Sequence, residues 1–86
     1  MDTNVKVTEK TNYLLATKVD VIAYDPDTKY TFVIHFVLSH SPVEPQRAQL
    51  FNRFYGSVDV GSKEDVVKAI ETLVGRKFVV REIIID

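Results

Sequence analysis

The sequence predicts a small α+β domain with an antiparallel sheet of three to five strands and two short helices on one face. Three observations predict this fold. They are two neighbouring segments of alternating apolar residues, a capped helix in the second half, and an apolar run at the C-terminus. The predicted order is β(β)β-α-α-β. A chain of 86 residues has room for one small core but not two. We therefore expect one domain over residues 1–86.

Two strands joined by a tight turn are predicted in the first half. Residues 13–24 alternate apolar and polar side chains, and residues 29–39 repeat this period with many aromatic and β-branched residues. Between them, Asp25-Pro26-Asp27-Thr28 is a typical turn sequence. The two strands should form a hairpin. Residues 5–8 and residues 57–60 are weaker candidates for additional strands.

The first helix is predicted over residues 46–55, after two prolines carry the chain out of the sheet. Ala48, Phe51 and Tyr55 follow one another at helical spacing until Gly56. The second helix is better marked, because Ser62 is a favourable N-cap and Gly75 a favourable stop. Both helices should pack on the same face of the sheet.

Residues 78–85 are predicted to form the last strand, with apolar side chains on both faces. Strict alternation places Val79, Ile83 and Ile85 on one face and Val80 and Ile84 on the other. The hairpin strand over residues 29–39 has the same property, because Val33 and Val37 oppose its larger apolar residues.

This surplus of apolar strand surface predicts an interface. Helices on one face leave the other face exposed, and large exposed apolar patches usually mark binding surfaces. We expect this face, or the edge formed by residues 78–85, to pair with a second copy in a symmetric dimer. Alternatively, the first twelve residues or a helix on the opposite side could cover it. The expected interface residues are Val33, Val37, Val79, Ile83 and Ile85.

Nucleic-acid binding is the second function that the residues allow. The formal charge of −1 provides no global attraction for nucleic acid, so binding would need a local patch. Basic and aromatic side chains of the kind that stack on single strands alternate after residue 46. Packing on the sheet is the simpler role for these rings. The candidate nucleic-acid residues are Arg47, Phe51, Arg53, Tyr55, Arg76 and Lys77.

No motif indicates catalysis, a metal or a cofactor. Residues 56–63 have the spacing of a phosphate-binding loop, but Lys63 follows Ser62 instead of preceding it. His35 and His40 lack the spacing of a metal site. We therefore expect a non-enzymatic module, without metal or cofactor, that binds itself and another, unidentified protein. The chain has no cysteine and begins without an apolar leader, so we expect a cytoplasmic protein without membrane contact.

Overall fold

A computed structural model of the chain describes residues 5–86, so the first four residues of the predicted domain lie outside it. The described chain forms a single six-stranded sheet with spatial order β1-β6-β2-β3-β4-β5. One helix, α1, packs against one face of this sheet. The elements in chain order are β1 (Lys6–Glu9), β2 (Lys18–Tyr24), β3 (Thr31–His40), β4 (Ala48–Asn52), β5 (Gly56–Val60), α1 (Lys63–Leu73) and β6 (Val79–Ile85).

The predicted fold class is wrong in three respects. The sheet has six strands instead of three to five, it is mixed, and the described residues contain one helix instead of two. The parallel pair joins β1 to β6, with Thr8 opposite Ile84, whereas all other neighbouring strands are antiparallel. This pairing links the two ends of the described chain, so no local pattern could indicate it.

Residues 46–55 form strand β4 and a turn, so the helix predicted there is wrong. Ala48, Leu50 and Asn52 point into the protein, whereas Phe51 points outward. The period is therefore two, and the helical spacing that includes Tyr55 is coincidental. Residues 48–52 form a strand because the last four residues of β3 pair with them and provide hydrogen-bond partners for their backbone groups.

Several local predictions are confirmed. β2 and β3 form the predicted hairpin, and the Asp25 carboxylate accepts a hydrogen bond of 2.9 Å from the Asp27 N–H. That bond lowers the pKa of the Asp25 carboxyl group. α1 begins after Ser62, whose Oγ accepts a hydrogen bond of 3.2 Å from the Asp65 N–H.

Among the described residues no helix is long and apolar enough to cross a membrane.

The hydrophobic core lies between α1 and one face of the sheet. Val66 and Ile70 of the helix are fully buried. They join a cluster that includes Val21, Leu50 and Ile83 from β2, β4 and β6. The core therefore extends across the sheet on the helix side only.

A β-bulge in β6 changes which side chains reach this core. Ala23 of β2 lies opposite Val80, but the preceding Ile22 lies opposite Glu82, so Arg81 is the extra residue. Val80 and Ile83 consequently both point inward, although strict alternation would separate them. The bulge residue places its guanidinium 4.9 Å from the centre of the Tyr24 ring.

The side chain of Asn52 ends the pairing of β3 with β4. Its Nδ2 donates a hydrogen bond of 2.8 Å to the His35 carbonyl oxygen. Its Oδ1 accepts bonds of 2.7 and 3.0 Å from the N–H groups of Phe54 and Tyr55. Gly56 then takes a φ of 82°, a conformation that glycine adopts readily. The buried Asn52 amide therefore takes the place of a β4 backbone group as the hydrogen-bond partner of His35. Its other bonds hold the turn that leads into β5.

Replacing Asn52 should destabilise the domain strongly. Asn52→Ala leaves one carbonyl and two N–H groups without their partner, so we expect a loss of about 2–3 kcal/mol in the free energy of unfolding. Urea unfolding measures this loss. Asn12→Ala is the matched control, because Asn12 accepts one bond in an exposed turn and should cost less than about 1 kcal/mol. Equal losses in the two variants would contradict the role given to Asn52.

Candidate functional site

The sheet face opposite α1, called the outer face below, exposes a group of apolar side chains. The exposed fractions are 48% for Val33, 52% for Val37 and 44% for Phe51. Val37 and Phe51 are cross-strand neighbours, so their side chains adjoin on one surface. Ile22 and Ile84, which are partly buried, extend this surface across β2 and β6. Residues 5–12 leave it open, because β1 joins the sheet beside β6.

The charged groups of the outer face are largely paired with one another. His35 Nδ1 lies 2.7 Å from an oxygen of Asp20 on the neighbouring strand. Lys6 Nζ lies 3.9 Å from the Glu82 carboxylate. These groups already have partners within the domain, so a protein surface that covers the face does not leave them without a hydrogen-bond or ion-pair partner.

The structure divides the five residues expected at an interface. Val33, Val37 and Val79 are exposed, the last by 43%, but Ile83 and Ile85 are completely buried. The bulge at Arg81 is the reason, because Val79 precedes it and the two isoleucines follow it. The expectation that all three side chains of β6 share one face is therefore wrong. β6 also has no free edge, since it lies between β1 and β2.

A groove with a volume of about 580 Å³ adjoins the outer face at β3. The Phe32 ring contacts the Phe78 ring edge to face, with centroids 4.8 Å apart. The Tyr55 ring stacks on buried Phe36 at 6.0 Å. We call this surface the aromatic groove; it is lined principally by Phe32, Phe51, Arg53, Phe54, Tyr55 and Phe78.

The candidate nucleic-acid residues do not form a single surface. Phe51, Arg53 and Tyr55 line the aromatic groove, and Lys77 lies over the ring of Phe78, 5.3 Å from its centre. Arg47 is instead part of a separate polar cleft. The sixth candidate, Arg76, is exposed in the turn after α1 and is absent from the lining of either concavity.

The polar cleft has a volume of about 740 Å³ and lies beside the loop that follows β3. Asp59 and Asp65 line it, as do Glu44 and Arg47, which pair at 3.5 Å. With three carboxylates and one guanidinium in its lining, the cleft has a net negative charge that is unfavourable for an anion. Within residues 5–86 no group of three or more histidine and acidic side chains could hold a metal ion.

His40 ties this loop to the rest of the domain. Its Nδ1 lies 2.6 Å from the Pro45 carbonyl oxygen and its Nε2 lies 2.9 Å from that of Ala16. Both partners are acceptors, so a neutral ring can donate to only one of them and the imidazolium to both. The Tyr13 ring packs edge to face on His40 at 5.2 Å, which identifies His40 as a structural histidine.

Neither histidine belongs to a complete catalytic arrangement in the described residues. Asp20 could orient His35 as a base, but the lining of the surrounding groove contains no serine, threonine or cysteine that His35 could activate as a nucleophile. The segment that resembles a phosphate-binding loop is strand β5 followed by the first turn of α1. There the Asp65 carboxylate accepts the Gly61 N–H at 3.1 Å, in the space where a phosphate would require free donors.

Comparison with protein-family models, with curated proteins and with solved structures finds no match for this chain. The arguments about function consequently rest on the geometry of the outer face and of the aromatic groove.

The buried hydroxyl of Tyr13 provides a test of the packing beneath the polar cleft. It donates a hydrogen bond of 2.7 Å to the Gln46 carbonyl oxygen. Burial, with a smaller contribution from the negative charge of Asp65, raises the pKa of Tyr13 above its ordinary value of 10.0. The neutral phenol is therefore favoured in the folded state.

The free energy of unfolding should fall as the pH rises past 10.0, the ordinary pKa of a tyrosine hydroxyl. There the unfolded chain releases the Tyr13 proton while the folded chain keeps it, and this difference favours unfolding. Tyr13→Phe should cost about 1 kcal/mol near neutral pH through the lost hydrogen bond. Urea unfolding of both proteins at about pH 8 and about pH 10.5 should show this gap shrinking with pH. A gap that stays constant or widens would contradict the assignment.

Proposed function

We propose that this domain is a non-enzymatic, cytoplasmic protein-interaction module that forms a symmetric homodimer through its outer face. The observation that carries the proposal is the one-sided cover of the sheet. α1 covers only the inner face, while Val33, Val37 and Phe51 on the opposite face remain about half exposed. The cytoplasmic location rests on the composition, since a chain without cysteine does not depend on an oxidising compartment.

A second copy suits the outer face because the face is self-complementary in chemistry. Its middle is apolar, and charged side chains such as Lys6 and Glu82 lie on the face as neighbours of opposite sign. Two such faces related by a two-fold axis place apolar groups against apolar groups. A strongly charged partner would gain little there, because the middle of the face is apolar.

A charge placed in the apolar part of this face should break the dimer. Val37→Glu introduces a carboxylate where the proposal buries a methyl group, so we expect the dimer dissociation constant to rise at least about 100-fold. Sedimentation equilibrium measures this change. Val43→Glu is the matched control, because Val43 is 84% exposed and lies outside the sheet. A wild-type protein that stays monomeric at high micromolar concentration would overturn the dimer.

Nucleic-acid binding is the competing outcome. The separation of Arg47 from Arg53, and the pairing of Arg47 with Glu44, favour a protein partner over a nucleic acid. A labelled single-stranded oligonucleotide tests this preference at low ionic strength, where charge attraction is strongest. The proposal predicts no salt-dependent binding. Tight binding that weakens on replacing Arg53 would favour the nucleic-acid function instead.

A further inference from the structure

Half of strand β3 has a neighbour on only one side. β3 pairs with β2 along residues 31–37 but with β4 only from Val37 to His40. The Leu38 N–H bonds to the Thr17 carbonyl oxygen, so the backbone groups of even-numbered residues of β3 point toward β2. Those of odd-numbered residues point to the opposite side, because backbone polar groups alternate along a strand.

The stretch from Thr31 to His35, called the open edge below, therefore presents backbone groups without a strand partner. The N–H and C=O groups of Thr31 and Val33 and the N–H of His35 point to the side that β4 has left, and within residues 5–86 no strand occupies it. The His35 carbonyl already accepts the Asn52 side chain. Three donors and two acceptors in alternation form a template for one more strand.

The two outer edges of the sheet differ from this one. β1 has only four residues and carries charged Lys6 and Glu9, the kind of side chains that keep an edge from pairing. β5 carries exposed Ser57 and Asp59. At the open edge the residues between Thr31 and His35 are all apolar, and the aromatic groove adjoins them. Among the sheet edges formed by residues 5–86, the open edge combines free backbone groups with an adjoining aromatic groove.

The charge of the groove indicates the kind of segment that would fit. No carboxylate contributes to its lining, and the groove wall includes the Arg53 guanidinium, which stacks on the Phe54 ring at 5.2 Å. Arg53 makes no ion pair with any described residue, whereas Arg47 pairs with Glu44. An acidic side chain of a ligand would supply the missing partner.

We propose that the open edge binds an extended peptide segment of a partner protein as an added, antiparallel strand. The segment carries apolar side chains in its middle and an acidic residue near its N-terminal end. This orientation continues the direction of β4 and places the peptide N-terminus beside Arg53, which follows Asn52 at the end of β4. The inference deepens the proposed function, since it names a partner class for the same module.

A peptide suits this edge better than a second copy does. The open edge is five residues long, whereas a standard interface between proteins uses about 20–30 residues a side. Strand addition needs no such area, because main-chain hydrogen bonds provide affinity and flanking pockets provide specificity. The edge groups lie in the plane of the sheet, so a dimer formed through the outer face does not use their hydrogen bonds. The side chains of Val33, Val37 and Phe51 contribute to both sites.

A proline at Val33 tests the added strand. Val33→Pro removes an N–H that points to the open edge and not toward β2, so the hairpin keeps its hydrogen bonds. Val33→Thr is the matched control with the same branching and an intact N–H. The probe is a labelled, capped peptide, Asp-Val-Ile-Val-Thr. Fluorescence anisotropy should show binding to the wild type and to the threonine variant, and binding at least about 10-fold weaker to the proline variant. Equal affinity of the two variants would overturn the proposal.

The acidic residue has its own control. The peptide Lys-Val-Ile-Val-Thr should bind several-fold more weakly than the aspartate peptide, and Arg53→Gln should remove this difference whereas Arg47→Gln keeps it. A preference for the lysine peptide, or one that persists without Arg53, would overturn the assignment of the acidic group. A single-stranded oligonucleotide that competes with the peptide would favour nucleic acid as the natural ligand.

Hydrogen exchange in the wild-type protein gives a result that does not depend on the folding of any variant. The amide hydrogens of Thr31, Val33 and His35 should exchange fast in the free protein and slowly with the aspartate peptide bound. Protection at β1 or β5 instead would overturn the site. Sedimentation distinguishes the two proposals. A monomer whose amides are protected by the peptide would contradict only the dimer, and a dimer whose amides stay unprotected would contradict only the peptide site.

Discussion

The amide of Asn52 is the contact on which the exposed features of this domain depend. By donating to the His35 carbonyl and accepting two N–H groups of the following turn, it stops β4 halfway along β3. The same turn brings Tyr55 onto Phe36, and so forms one side of the aromatic groove. A single buried side chain thus leaves backbone groups of β3 open and surrounds them with rings. A longer β4 would have paired with these backbone groups and left no groove beside them.

The second constraint is that one helix of 11 residues covers a six-stranded sheet. The helix buries the inner face completely at positions such as Val21 and Leu50. Within residues 5–86 no element covers the outer face in a comparable way. Exposed apolar strand surface is costly in water and prone to association. Both proposals, the dimer and the added strand, place this surface of β3 against another protein.

The sequence identifies those elements whose signals are local. The turn at Asp25 and the cap at Ser62 depend on neighbouring residues, and both occur as predicted. The error over residues 46–55 arises because Ala48, Phe51 and Tyr55 fit a helical period by chance. The residues of the partner strand, which imposes the period of two, lie eight to fourteen positions earlier in the chain. Asn52 followed shortly by Gly56 is a turn signal and was the available evidence against a helix.

The exposed face could be predicted only in part. Val33 and Val37 lie on it as their alternation indicates, but the bulge at Arg81 moves Ile83 and Ile85 into the core. A bulge depends on the register between two distant strands, so a local pattern does not contain it. The open edge is likewise a property of the strand order, since it exists only because β4 is shorter than β3.

Methyl NMR of the intact protein tests most directly whether the exposed side of β3 is the binding surface. In a dilution series, and again on addition of the aspartate peptide, the methyl signals of Val33 and Val37 should shift, while those of buried Val66 and Ile70 should stay constant. Shifts confined to the polar cleft or to α1, with β3 unaffected under both conditions, would contradict this account.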